Sequence, residues 1–261
     1  MLRDAVSAGG ALKKKKKPVS GRIEDVDAAY AGSYVPLLAS ALCVRRRAAV
    51  DHARVARWTE GVKAAREAWV SDFGGAQFSL GRAWYTHLEQ GRAADYFANV
   101  AASNEAVERA CPGLQDAMRA LTSMVVGAPV VARADWCGPG VHVFPAGAHV
   151  ARRGGDVHFD TEGLTPAHTS DRAPALTLVL MLDPPPRGGG LRVWEVTYRG
   201  SDFHEDEDLE RPHVTCEYGP GDLVAIDSYR LHQIQPFGGD RDRISATCHA
   251  AFVAGQWETW F

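Results

Sequence analysis

From Gly127 onward the chain is interrupted every few residues by glycine or proline. The intervals read "VVARADW", "VHVFPAG", "DVHFD", "ALTLVLML", "LRVWEVTY", "HVTCEY", "DLVAID", "LHQIQPF" and "ISATCHAAFVA". Most are too short to make a helix with a buried face, and they are rich in β-branched and aromatic residues. "DPPPRGGG" and "GPGD" separate two pairs of them. Short strands in series, divided by turn signals, restrict this half to a β-sandwich or a barrel.

The preceding stretch, about 49–125, has helical texture. "AAVDHARVARWTEGVKAAREAWV" spaces Val50, Ala53, Ala56, Trp58, Val62, Ala65 and Trp69 by mixed threes and fours. "NEAVERA" follows with Asn104 as its expected N-cap. After the break at Pro112-Gly113, "LQDAMRALTSMVV" sets Leu114, Met118, Leu121 and Val125 on one face. The expected organisation is a flexible basic lead-in over 1–20, then one domain over 21–261. In that domain the helical part (about 49–125) packs outside a β core (about 128–254). The run Lys13–Lys17 reads as a solvated tail.

Composition excludes several function classes. Hydrophobic residues make up 46% and charged residues 23%, as in soluble globular proteins. A net charge of −3 gives no footprint for nucleic acid. The strongest apolar run, Ala175 to Leu182, is far short of the roughly 20 residues that span a bilayer. The five cysteines (Cys43, Cys111, Cys137, Cys216, Cys248) are scattered and odd in number, which argues for free thiols in a reducing compartment. With no signal-peptide pattern at the start, the expectation is a cytoplasmic protein with neither a membrane nor a nucleic-acid partner.

The chemistry sits in three places. In "GGDVHFDTEG", His158 and Asp160 are two residues apart, so on a strand both leave the same face while Phe159 leaves the other. Alone, such a pair is weak evidence. A third partner, His232, lies in "GDLVAIDSYRLHQIQPF". Two histidines and one carboxylate make the facial triad that suits non-haem Fe(II), leaving positions open for a bidentate co-substrate and O2. On the strand beginning at Arg243, one face carries Arg243, Ser245, Thr247 and His249. The other carries Ile244, Ala246, Cys248, Ala250 and Phe252. The apolar face suits packing on the helices, and the polar face suits a pocket lining. Arg243 offers a planar fork for a carboxylate, with the Ser245 hydroxyl beside it.

His158-x-Asp160, distal His232, and Arg243-x-Ser245 eleven residues further on together resemble the Fe(II)- and 2-oxoglutarate-dependent oxygenases. The resemblance covers roughly 130–252 and takes in both the prolyl hydroxylases and the small-molecule hydroxylases. It extends to "PALTLVLMLDPPPRGGGLRVWE", which looks like the family's central strands and their glycine-rich link. It implies a double-stranded β-helix, also called a jelly roll or cupin-like barrel. It also implies iron held by His158, Asp160 and His232, and a 2-oxoglutarate tail held by Arg243 and Ser245. The activity implied is oxidation of an unactivated C–H bond with decarboxylation of 2-oxoglutarate to succinate, O2 as oxidant and ascorbate as accessory reductant. The family's halogenases replace the carboxylate ligand with a small residue. Asp160 therefore points to hydroxylation, or to a related desaturation or ring closure.

Within that reading the substrate is a small metabolite such as an amino acid or a biosynthetic intermediate, with a peptide as the alternative. Two other classes stay open: a non-catalytic jelly-roll protein that binds a metal or ligand, and a zinc hydrolase using the same three ligands. His142 and His149 flank early core strands and read as satisfied or exposed, and His249 reads as a far-end or surface histidine. Trp194 reads as core. Arg152, Arg153, Arg172 and the run "HEDEDLE" read as solvated charge, with 161–172 as a lid candidate.

Overall fold

A computed structural model describes residues 21–261. The expected lead-in over 1–20, with Lys13–Lys17, lies outside the described residues. The N-terminal half supplies strands β1 (Ile23–Val26), β2 (Cys43–Arg46), β3 (Val70–Asp72) and β4 (Gln77–Leu80). Its helices are α1 (Val35–Leu38), α2 (His52–Ala64), α3 (Trp84–Glu89), α4 (Ala93–Ala98), α5 (Val100–Ala110) and α6 (Leu114–Val126). Then come β5 (Val130–Ala132), β6 (Gly140–Phe144), α7 (His149–Arg153), α8 (Pro166–Asp171) and β7 (Ala175–Asp183). The chain closes with β8 (Arg187–Gly188), β9 (Leu191–Thr197), β10 (His213–Cys216), β11 (Leu223–Asp227), β12 (Arg230–Ile234), β13 (Phe237–Gly238), β14 (Arg243–Val253) and β15 (Gln256–Trp260).

Ten strands form one large sheet in the order β1-β2-β11-β7-β14-β6-β4-β3, with β15 joining β14 to β5. A smaller sheet, β10-β9-β12, faces it. The result is the expected jelly roll. β7 shows why the large sheet is two-sided. Leu176, Leu178, Leu180 and Leu182 join the core beneath the helices, while Val179 and Met181 join a second core toward the small sheet. Every residue of β7 is buried, which is why its sequence is a continuous apolar run and not an alternating one.

The helices cover the outer face. Asp51 caps α2 by accepting from the Arg54 amide at 2.9 Å, and Val55, Trp58 and Val62 turn inward. On α6, Leu114, Met118, Leu121 and Val125 are buried as their spacing predicts. Thr122 of α6 lies 3.6 Å from the Cys248 sulfur of β14, so the apolar face of that strand meets this helix. All five cysteines are free and buried.

Several expectations change. The span 49–125 is not wholly helical, because β3 and β4 interrupt it and extend the large sheet through β6. Asn104 lies inside α5 and does not cap it; its side-chain oxygen accepts from Gln115 and from the Gly138 amide. Phe252 is 40% exposed and does not join the apolar face of β14. The acidic run forms a short 3₁₀ turn at Asp206–Glu210, in which Asp208 is buried and paired with Arg199. Among the described residues, no helix is long and apolar enough to cross a membrane.

Candidate metal centre and pocket

His158 and His232 are opposite each other in an antiparallel bridge. Each amide donates to the other's carbonyl, at 3.1 and 3.0 Å. This pairing puts both imidazoles on one face, with ring centroids 4.3 Å apart. The pairing continues through the Asp160 amide, which donates to the Ser228 carbonyl at 3.0 Å. Asp160 thus sits beside the two histidines, while Phe159 is buried on the far side with Trp194 and Leu231.

Nε2 of His158 is 3.4 Å from Asp160 Oδ1, and Nε2 of His232 is 3.1 Å from Asp160 Oδ2. One donor atom from each of the three lies within 4.8 Å of the others. Ligands about 2.1 Å from one ion stand about 3 Å apart when adjacent, so this set fits three corners of an octahedron. The tautomers are fixed from behind. His158 Nδ1 contacts the Asp156 carbonyl at 2.8 Å, and His232 Nδ1 contacts the Arg230 carbonyl at 2.9 Å. A proton on each Nδ1 leaves a lone pair on each Nε2, directed toward Asp160.

Without a cation these groups compensate one another. Burial opposes the charged forms. The paired histidines nevertheless hold the Asp160 carboxyl well below its ordinary range, and Asp160 lifts His158 to about 9. Asp160 is also held by Thr177 of β7, whose hydroxyl donates to Oδ2 at 2.6 Å. The same hydroxyl lies 3.0 Å from Ser228 Oγ and 3.2 Å from His249 Nδ1.

Arg243 is 1% exposed, on the same pocket wall. Its Nε donates to the Gly189 carbonyl at 3.0 Å, one Nη to Ser245 Oγ at 3.0 Å, and the other to the Tyr218 hydroxyl. Gly189 reaches this position at φ +77°, and a Cβ there would come within 2.7 Å of Pro185. The glycine-rich link is thus what lets the backbone turn a carbonyl onto the guanidinium. No carboxylate among the described residues pairs with Arg243. A buried cation held only by neutral groups is costly unless an anion completes it.

All five residues singled out by spacing therefore meet in one cavity of about 300 Å³. Spacing alone missed Thr177, Tyr218 and Tyr85, which line it too. Two histidines depart from their expected places. His249 is a pocket residue linked through Thr177 to Asp160, because β14 crosses the whole floor of the cavity and its far end lies under the histidine–carboxylate group. His142 is buried against the rings of Tyr85, Phe144 and Phe261, and its Nδ1 has no partner. His149 lies exposed at the rim, and Arg172 donates to the Tyr198 carbonyl and stacks on Tyr229.

No family model matches this sequence, and no curated protein matches it. Among solved structures it is similar to SnoK, described as a non-heme alpha-ketoglutarate-dependent carbocyclase from nogalamycin biosynthesis. The identity is 13%, covering 80% of this chain and 82% of that one, at a TM-score of 0.53. It is also similar to AviO1 from Streptomyces viridochromogenes Tue57, with 14% identity, 81% and 90% coverage, and a TM-score of 0.52. This chain shares their jelly-roll fold. Within that jelly roll the His158–Asp160–His232 group belongs to the small sheet and its flanking segment, and Arg243 to the large one. The cavity is the gap between the two sheets.

Proposed function

We propose that this protein is an Fe(II)- and 2-oxoglutarate-dependent oxygenase acting on a small molecule. The observation that carries the reading is Arg243. A buried guanidinium with an open anion position shares a cavity with three side chains preset to bind one divalent ion. A dicarboxylate with a keto-acid end spans such a pair of sites. A zinc hydrolase needs the three ligands but gives Arg243 nothing to bind.

In this reading His158, Asp160 and His232 hold the iron, with Thr177 fixing the Asp160 carboxylate. Arg243, Ser245 and Tyr218 hold the distal carboxylate of 2-oxoglutarate. Iron and co-substrate together supply the oxidising power, consuming O2 and releasing CO2 and succinate. The protein's part is to orient the substrate and exclude water. Phe144, Val150, Leu191 and Ile234 give the cavity apolar walls. The volume suits a metabolite better than a peptide segment. Asp160 completes the ligand set, so the product we expect is a hydroxylated one, with ring closure as the second outcome at the same carbon. SnoK, which shares the fold, is described as a carbocyclase.

The test is direct. Protein freed of metal is loaded anaerobically with Fe(II) and 2-oxoglutarate, exposed to O2, and assayed for succinate. Iron-dependent succinate that disappears in Asp160→Ala is the expected result. Metal-independent turnover, or none in the presence of Fe(II), 2-oxoglutarate and ascorbate, overturns the reading.

A further inference from the structure

The mouth of the cavity carries charge that the proposed chemistry does not use. Glu89 and Asp156 both line it. Glu162 stands next to the metal-binding group, and Asp202 accepts from Thr161 at 2.8 Å. Among the described residues, none of these four carboxylates has an ion-pair partner. They act on one another and on His158. Burial raises the Glu89 carboxyl, His158 lowers it, and Asp156 and Asp202 raise it again. Arg243 is the one arginine of the cavity wall, and no lysine is part of it.

Deeper in the cavity stands His142. It is 6% exposed, and its Nδ1 has no hydrogen-bond partner. Burial, reinforced by the charges of His249 and Arg243, lowers it to about 3, so it stays neutral and keeps one acceptor nitrogen. Buried imidazoles are ordinarily paired, and this one lines a cavity without a partner from the chain. The aromatic rings of Phe73, at the lip, and Tyr85 border the same space.

Loading the site sharpens the imbalance. A divalent ion and Arg243 are balanced by Asp160 and a dicarboxylate, which leaves Glu89 and Asp156 as the uncompensated charge of the wall. Resting on the oxygenase reading, we propose that the substrate is a small organic cation. It is an amine or guanidine whose charge lies at the mouth between Glu89 and Asp156, against Phe73 and Tyr85. An N–H or O–H further along meets His142, and a carbon near it faces the His158–Asp160–His232 group. Carboxylates and ring faces are the groups that recognise such a cation.

The probes are matched pairs differing only in the ammonium: tyramine against tyrosol, cadaverine against 1,5-pentanediol, and benzylamine against benzyl alcohol. Each is titrated calorimetrically into protein loaded with Mn(II) and 2-oxoglutarate. We expect amines to bind about tenfold more tightly than their alcohols, the size of two partly exposed ion contacts. That preference should vanish in Glu89→Gln/Asp156→Asn and weaken as salt rises tenfold. His142→Phe should weaken binding of the amine while leaving the amine-to-alcohol ratio in place. Alcohols binding as well as amines, a preference surviving in the double variant, or no amine binding at all overturns the inference. Failure of the wild-type protein to take up Mn(II) or 2-oxoglutarate is a different result and overturns the oxygenase reading. Unchanged melting curves show that the variants are folded.

Discussion

Thr177 donates a 2.6 Å hydrogen bond to Asp160 Oδ2, joining a central strand of the large sheet to the carboxylate of the candidate metal centre. That bond fixes which way the carboxylate faces, and His249 and Ser228 steady the hydroxyl that makes it. Thr177→Val keeps the shape and deletes the donor. We expect metal affinity to fall about tenfold or more, the usual cost of losing a group that orients a ligand. Titration with Mn(II), followed by its electron spin resonance signal, measures it. A variant that binds the metal as wild type would remove Thr177 from the site.

Arg243 gives a second prediction. Arg243→Met removes the buried charge but retains much of the side-chain volume, and Tyr218 and Ser245 remain. The 2-oxoglutarate dissociation constant should rise about a hundredfold, the scale for truncating one partner of a buried charge pair. Metal affinity should stay within a few-fold, because no ligand is touched. Arg243→Lys should recover part of the loss, since an ammonium restores charge without the planar fork. Equal weakening of metal and co-substrate would mean that the arginine only supports the fold.

The strand period explains why part of the site was legible. His158 with Asp160, and Arg243 with Ser245, are i, i+2 pairs whose common face follows from pleat geometry alone. His142, Thr177 and Tyr218 had no such signature, because their place depends on which strands are neighbours. Ser245 is opposite His142 on one side and Met181 on the other, a fact of sheet order that no local spacing encodes. The same limit hid β3 and β4. "VSDFGGAQFSL" holds two short strands about a glycine turn, and β4 joins the large sheet only through β6, which lies far along the chain. By contrast β7 was plain, because burial on both faces leaves an uninterrupted apolar run.

Gly61 marks where α2 crosses α5. A Cβ built there would lie 1.8 Å from the Ala110 carbonyl oxygen, which is backbone and cannot swing aside. Alanine is the better helix former by about 1 kcal/mol, so propensity alone would make Gly61→Ala stabilising. Overpacking of this kind costs about 1–3 kcal/mol, and more where the backbone must move. At 1.8 Å the clash should prevail, giving a net loss of about 2 kcal/mol in urea denaturation. Stabilisation by this substitution would show that the helices are further apart than described.

His142 supplies a prediction in pH. Its folded value, about 3, lies below the 6.5 of an unperturbed histidine, chiefly because burial disfavours the cation. The unfolded chain therefore binds a proton between these values that the folded chain refuses. Where the unfolded state holds more protons, stability falls as pH falls. The contribution is absent above pH 6.5 and grows by about 1.4 kcal/mol per pH unit below it, levelling off near pH 3. His142→Phe abolishes the titrating group and keeps an aromatic ring among Tyr85, Phe144 and Phe261. Denaturation midpoints of the metal-free proteins at pH 7.5, 6 and 5 should thus diverge, with wild type losing stability faster than the variant. Parallel curves would mean that the imidazole accepts a proton in place despite its burial.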